Sequence, residues 1–334
     1  MTRQRLLLAA RVAVWAGLAA LLFLLARGLD FGRLRAALAS ADVRLLALTV
    51  AAGLPGMVFS GLRWAVLASP VKRVSPLTTI AAQAVGYLGS AILPVRAGEA
   101  VRVELLARFA GMSRAAAAGT VALDHLVNGI VMFGFAALLP LLLPVPRWMS
   151  VVIWGGIAGS LALFFVVLRL ARTPSAATAP QVLSGWKARV LPIVVRLRGG
   201  LVALRNPRAV IPAAIYSVLA WAVEIATTMI SLAAFHLPHD VAHAMAVLFG
   251  VNLALAIPSP PANLGTFELG AGMALVAFGD SKEHAAAFAI GLHGLQLATS
   301  VVLGLLFLPY FRKKGAQAPE DTGAAPAVSP STRR

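Results

Sequence analysis

Six apolar stretches, at about 6–29, 45–69, 115–143, 148–171, 209–236 and 284–311, are each long enough to cross a hydrocarbon core of ~30 Å. In lipid every backbone polar group must be satisfied internally, and runs of this length do that as helices. A hydrophobic share of 60%, a charged share of 12% and a mean hydropathy of +0.86 exclude a soluble globular domain. The absence of cysteine excludes disulfides, thiolate metal sites and cysteine nucleophiles. The first stretch follows Arg3 and Arg5 and carries Arg11. It is long for a signal-peptide core and reads as a retained span.

Two further regions, 76–110 and 241–279, are apolar but interrupted. The first breaks at Leu93-Pro94-Val95-Arg96-Ala97-Gly98-Glu99, the second at Pro258-Ser259-Pro260-Pro261-Ala262-Asn263-Leu264-Gly265-Thr266-Phe267-Glu268. Their arms, 76–93, 97–110, 241–257 and 264–279, reach roughly 21–27 Å at 1.5 Å per residue, a little short of the bilayer. Each region is therefore expected to turn back at its prolines as a re-entrant hairpin, with a tilted pair of full spans as the alternative. Broken backbone and charge at membrane depth are tolerated mainly where they line a cavity or a path.

Charge sets the orientation. The 29 Lys and Arg against 12 Asp and Glu give a formal net charge of +17, but these cations sit in short loops between apolar helices. The positive-inside rule accounts for them, and nucleic-acid binding is not indicated. The segment 169–208 carries Arg169, Arg172, Lys187, Arg189, Arg196, Arg198, Arg205 and Arg208 with no acidic residue, and is placed in the cytoplasm. Both termini then fall on that side, the 76–110 hairpin opens inward and the 241–279 hairpin outward. The stretch 27–44 is laid along the outer interface. The expected architecture is an all-α polytopic membrane protein of six transmembrane helices plus two re-entrant helical hairpins, arranged as inverted repeats like the core of many secondary transporters. One membrane domain covers 1–311, with a cytoplasmic amphipathic linker at 173–207. An Ala/Pro/Ser/Gly-rich tail at 312–334 is expected to be disordered.

Glu99, Glu104, Asp124, Glu224 and Glu268 lie within apolar segments, which makes each a functional candidate. Glu99 and Glu268 stand beside the breaks. Glu104, four residues before Arg108, reads as a helix-locking pair. A helix restarting near Ala97 would present free amides and the positive end of its dipole close to Arg96 and Arg102, a combination suited to a phosphate. Gly98, Asn263, Gly265 and Thr266 complete the two tips as candidate headgroup-binding residues. Asp124 and Asn128 share a helix face with His125 beside them, and His293 and Gln296 share another. With Glu224 these form a supporting polar cluster. Arg63 and Trp64 read as interfacial snorkelling and aromatic anchoring. No metal or cofactor is expected, and there is no P-loop motif.

The run Pro94-Val95-Arg96-Ala97-Gly98-Glu99-Ala100-Val101-Arg102, followed by Leu105-Leu106-Ala107-Arg108 and Gly111-Met112-Ser113, resembles the P-x-R-x-G-E-x-x-R signature of the lysylphosphatidylglycerol synthase transmembrane (flippase-like domain) family. Asn263-Leu264-Gly265-Thr266-Phe267-Glu268 resembles its later Gly-rich element ending in Glu. Where the family pattern reads Glu-Arg-x-x-Asp, this chain has Asp124, His125 and Asn128. The resemblance spans essentially 10–311. It implies a protein of the bacterial inner membrane that translocates a phospholipid, such as aminoacylated phosphatidylglycerol, or a lipid-linked glycan. It also implies the membrane part alone, without the cytosolic synthase domain of bifunctional members and hence without its enzyme activity. Partners would be anionic phospholipids or polyprenyl-phosphate-linked substrates, with envelope-biogenesis proteins also possible. The alternative is an integral-membrane enzyme or accessory subunit acting on lipid-linked sugars.

Overall fold

A computed structural model describes residues 29–93, 97–172, 199–256 and 261–316. These residues are helical nearly throughout. The expected first span, most of the 173–207 linker and the 317–334 portion of the tail lie outside the described residues, as do Arg96 and the prolines at 94, 258 and 260.

The helices start where polar side chains can satisfy their first amides. Asp30 caps α1 (Phe31–Ala39) and Asp42 caps α2 (Val43–Ala68), each accepting two backbone N–H bonds. Pro76 opens α3 (Pro76–Ile92), and α4 runs Ala97–Ala110. Ser113 caps α5 (Arg114–Ala136), which a short turn at Leu139–Leu142 extends. After α6 (Arg147–Arg172), Asn206 caps α7 (Pro207–Ala234). Asp240 caps α8 (Val241–Ala254), and α9 (Thr266–Ala277) and α10 (Lys282–Ala316) complete the order.

Five helical segments are long and apolar enough to cross a membrane: Val43–Ala68, Arg114–Leu142, Arg147–Arg169, Arg208–Ala234 and Lys282–Lys314. They agree with the expected spans to within a few residues, and the chain is a multi-pass membrane protein. The interrupted regions are the short pairs α3/α4 and α8/α9. Within each pair the two arms touch backbone to backbone. A Cβ on Gly98 would run into the Gly86 carbonyl and Ser90, and one on Gly270 into the Gly250 carbonyl. Glycine is what permits this approach.

The long helices α2 and α7 pack side by side at the centre, and α10 runs along α3 and α9. At one end of the bundle Lys72 Nζ donates to the Gly111 carbonyl (2.9 Å) and Lys314 Nζ to Thr78 (3.0 Å). At the other end the Asp42 N–H donates to the Ala234 carbonyl (2.9 Å), and the His236 ring meets the Ser40 carbonyl (3.1 Å). The described part of the polar stretch, residues 29–44 with α1, thus sits against the far ends of α7 and α10.

Candidate functional site

A cavity of about 600 Å³ with both polar and apolar side chains in its wall lies inside this apolar bundle, lined from both broken regions and from α2, α5, α7 and α10. On the α3/α4 side its wall is an ion network. Asp124 is 1% exposed, and its two oxygens are divided between two arginines: Arg63 Nε donates at 2.7 Å and Arg102 Nη2 at 3.0 Å. Arg63 Nη1 also donates to Asn128 (2.9 Å), whose amide oxygen takes the Trp221 indole N–H (3.1 Å). Arg102 Nη1 reaches Glu99 (3.0 Å), and its guanidinium lies 4.5 Å from the centre of the Trp64 ring. Glu99 also faces His125 Nε2 at 3.1 Å. Two buried cations share one carboxylate, Glu99 supplies a second anion and Asn128 a further acceptor, and Arg102 Nε is left buried without a hydrogen-bond partner among the described residues.

This arrangement revises two expectations. Arg63 and Trp64 do not snorkel to an interface. They are 4% and 0% exposed and join α2 to α4 and α5. Glu104 pairs with Arg114 on the next helix, through Nη2 at 2.7 Å, rather than with Arg108 along its own helix.

The α8/α9 side has no arginine. Ala262 and Asn263 both take left-handed backbone (φ 58° and 57°), which costs a non-glycine residue roughly 1–3 kcal/mol each, and Gly265 follows at φ 83°. Side chains of α9 and α10 hold this turn. The Gly265 N–H donates to Glu268 Oε2 (2.7 Å), and the Thr266 hydroxyl to the Asn263 carbonyl (2.8 Å). His293 is clamped between Glu268 Oε1 (Nδ1, 2.7 Å) and the Ala262 carbonyl (Nε2, 2.8 Å), with Phe267 stacked on its ring at 4.4 Å.

The remaining wall holds one carboxyl group among neutral polar side chains. Glu224 on α7 faces the cavity, and its carboxyl group makes no hydrogen bond or ion pair among the described residues, although its backbone carbonyl accepts from the Thr227 hydroxyl (3.1 Å). Around it stand Thr49, Gln83, Tyr87, Thr228, Asn252 and Gln296. Gln83 Nε2 donates to the Tyr87 hydroxyl (2.8 Å) while its Oε1 is buried without a partner.

Of the candidate residues, Glu99, Arg102, Asp124, His125, Asn128, Glu224, Asn263, His293 and Gln296 line this one cavity. Glu268 is tied to it through His293. Gly98 serves the contact between the arms. The Gly265 amide and the Thr266 hydroxyl, expected to be free for a ligand, are occupied within the turn. Arg96 lies outside the described residues. No group of three or more His, Cys, Asp or Glu able to hold a metal occurs among the described residues.

Sequence reasoning missed Arg63, Gln83 and Tyr87. A cation set inside an apolar span at the depth of an acidic residue on another span was the available signal for Arg63. Nothing comparable marks the other two.

The family model described as "Lysylphosphatidylglycerol synthase TM region" matches residues 6–304. Neither the curated proteins nor the solved structures contain a match.

Proposed function

The chain belongs to the lysylphosphatidylglycerol synthase transmembrane family, and from that premise we propose that it is a lipid flippase or scramblase of the bacterial inner membrane. It moves the headgroup of its lipid through the cavity and does no covalent chemistry on it. The observation that carries this reading is a cavity of about 600 Å³ whose mixed polar and apolar walls hold charged side chains, lined from both interrupted regions inside an otherwise apolar bundle. Ionisable residues inside membrane spans are rare, and where they face a cavity they support a path for a polar group.

In this reading α3/α4 and α8/α9 are re-entrant hairpins, and the expected first span brings the transmembrane helices to six. The unit α2, α3/α4, α5 is related to α7, α8/α9, α10 as an inverted repeat. Three correspondences support it. The element order is the same, each hairpin closes on a glycine pair, and each tip glutamate meets a histidine of the following span. Lys72, Lys313 and Lys314 share one end of the bundle with the α4–α5 turn, which we assign to the cytoplasm together with both termini.

The cavity favours a headgroup that carries an ammonium as well as a phosphate. Arg63 and Arg102 are spent on Asp124 and Glu99, which leaves the Glu224 carboxylate as a partner for a cation. Arg96, next to the first turn of α4 in the sequence, is assigned to the phosphate. An aminoacylated phosphatidylglycerol has both groups.

The test is reconstitution of the full chain in phosphatidylethanolamine/phosphatidylglycerol vesicles carrying a trace of fluorescent lysyl-phosphatidylglycerol, with quenching from outside as the readout. Protein-dependent movement is expected. Folded Glu224→Gln should slow it about tenfold, the equivalent of one charge-assisted contact of roughly 1.4 kcal/mol. Movement no faster than in empty vesicles overturns the proposal.

A further inference from the structure

Both nitrogens of His293 face oxygen acceptors, and this determines how many protons the site holds. The Ala262 carbonyl can only accept, so Nε2 carries a hydrogen. A neutral imidazole has just one N–H, so Nδ1 would then turn a bare lone pair toward Glu268 Oε1 at 2.7 Å. An ionised carboxylate cannot donate. The contact therefore exists only with one more proton, held either on Nδ1 or on Glu268, and the conclusion is the same for both assignments.

We infer that Glu268, His293 and the Ala262 carbonyl form a proton-binding site whose occupancy latches the turn of the second hairpin. With the proton in place, His293 pins Ala262 in its left-handed conformation, and Glu268 holds the Gly265 amide. When the proton leaves for cavity water, a carboxylate and a neutral imidazole remain. Nδ1 and Oε1 then repel, His293 withdraws from one of its two acceptors, and the turn loses the contact that offsets its backbone strain. Lipid movement, where it occurs, thereby becomes proton-linked. Only that consequence rests on the proposed function.

The surroundings leave this doublet as the site of the change. α3 presents Gln83, Tyr87 and Ser90 to the cavity, α8 presents Asn252, and α10 adds Gln296. The charged or titratable groups on the same cavity are Glu224 of α7 and, in the opposite wall, Arg63, Glu99, Arg102, Asp124 and His125. His125 needs no extra proton, because Nε2–H alone satisfies its contact with Glu99 and its other ring nitrogen faces no protein acceptor among the described residues.

The experiment uses the full chain, which has no cysteine, with Thr266→Cys introduced at a position 2% exposed within the turn. There the thiol is a weaker donor to the Asn263 carbonyl than the hydroxyl, so only the pH dependence in this one background, and not the absolute rate, is read. Its reaction with a membrane-impermeant maleimide, normalised to unfolded protein at the same pH, reads opening. The rate should be low near about pH 5 and climb toward about pH 8, by up to about tenfold per pH unit for one proton released. Glu268→Gln supplies an amide N–H to Nδ1 and an oxygen to Gly265, so it needs no extra proton, and its profile should stay flat. His293→Gln removes the imidazole from the doublet and must also lose the slope, whatever its absolute rate. A flat profile in the parent, or a slope retained in either variant, overturns the inference. In vesicles containing fluorescent phosphatidylethanolamine, lipid movement alongside a flat profile removes the latch and keeps the transporter. A sloping profile without movement of any lipid keeps the latch and removes the transporter.

Discussion

In the first hairpin the tip glutamate, Glu99, is one member of a charged lattice that reaches α2, α4 and α5. In the second, Glu268 touches no arginine among the described residues and shares a single histidine with a backbone carbonyl. The glycine contacts between the arms are alike, and so is the position of the histidine on the next span. The difference is electrostatic. One carboxylate is paired with a guanidinium, which does not give up its charge, and the other depends on a proton that can leave. A pair of related elements can thus divide labour, one as a fixed wall and the other as a moving part.

The strongest challenge to this contrast is Asp124→Asn. It leaves Arg63 and Arg102 buried with Glu99 as their remaining anion, and should cost about 3–5 kcal/mol in thermal or denaturant unfolding in detergent. Glu268→Gln keeps its hydrogen bonds and should cost less than about 1 kcal/mol. Equal losses would erase the distinction. Next in size are Gly98→Ala and Gly270→Ala, where the new methyl meets backbone that cannot step aside. Each should cost about 1–3 kcal/mol, whereas Gly272→Ala, with open space around it, should cost nothing. Similar losses at the first two positions sharpen the view that the hairpins share a scaffold.

A smaller effect separates the starts of the hairpins. Asp240 caps α8, while Ser75 makes no side-chain cap bond to α3. Asp240→Ala should therefore cost about 1 kcal/mol and Ser75→Ala almost nothing, by the same unfolding measurement. Partial burial works against ionisation of Asp240, but hydrogen bonds from the His243 amide and ring, together with the His243 charge, outweigh it and lower its pKa. A lowered carboxyl pKa stabilises the fold above the unfolded-state value of about 4 and loses that contribution as pH falls through the folded value. Acid should accordingly destabilise the parent more than Asp240→Asn in the range below about pH 4. The smallest effect is at Arg114→Ala, whose pairing with Glu104 lies in solvent, and no change in unfolding should be measurable.

The sequence showed the spans because apolar length is a local property, and the hairpins because proline and glycine act locally. It also singled out Glu99 and Glu268, since a carboxylate beside a chain break in apolar sequence is rare. What it hid is relational. Arg63 was misread because a snorkelling arginine and a buried one differ only in what stands opposite, and Asp124 lies 61 residues further along the chain. Arg102 was legible as a cation but not as one already satisfied by Asp124 and Glu99. The clamped ring of His293 depends on a carbonyl 31 residues away, exposed by a turn that no propensity encodes.

The Arg63–Asp124–Arg102 lattice also constrains how the protein is made. Arg63, Arg102 and Asp124 leave the ribosome on α2, α4 and α5 in turn, and an unpaired charge inside a spanning helix opposes its insertion, less so for Arg63, near the end of α2, than at a helix centre. α2 emerges first with its arginine uncompensated, and the partnering carboxylate follows only when α5 has been synthesised. The segments from α2 to α5 should therefore linger at the insertion machinery and pass into lipid together, as one neutralised unit. Truncations ending before Asp124 would then leave α2 poorly integrated, and those extending beyond α5 would restore it.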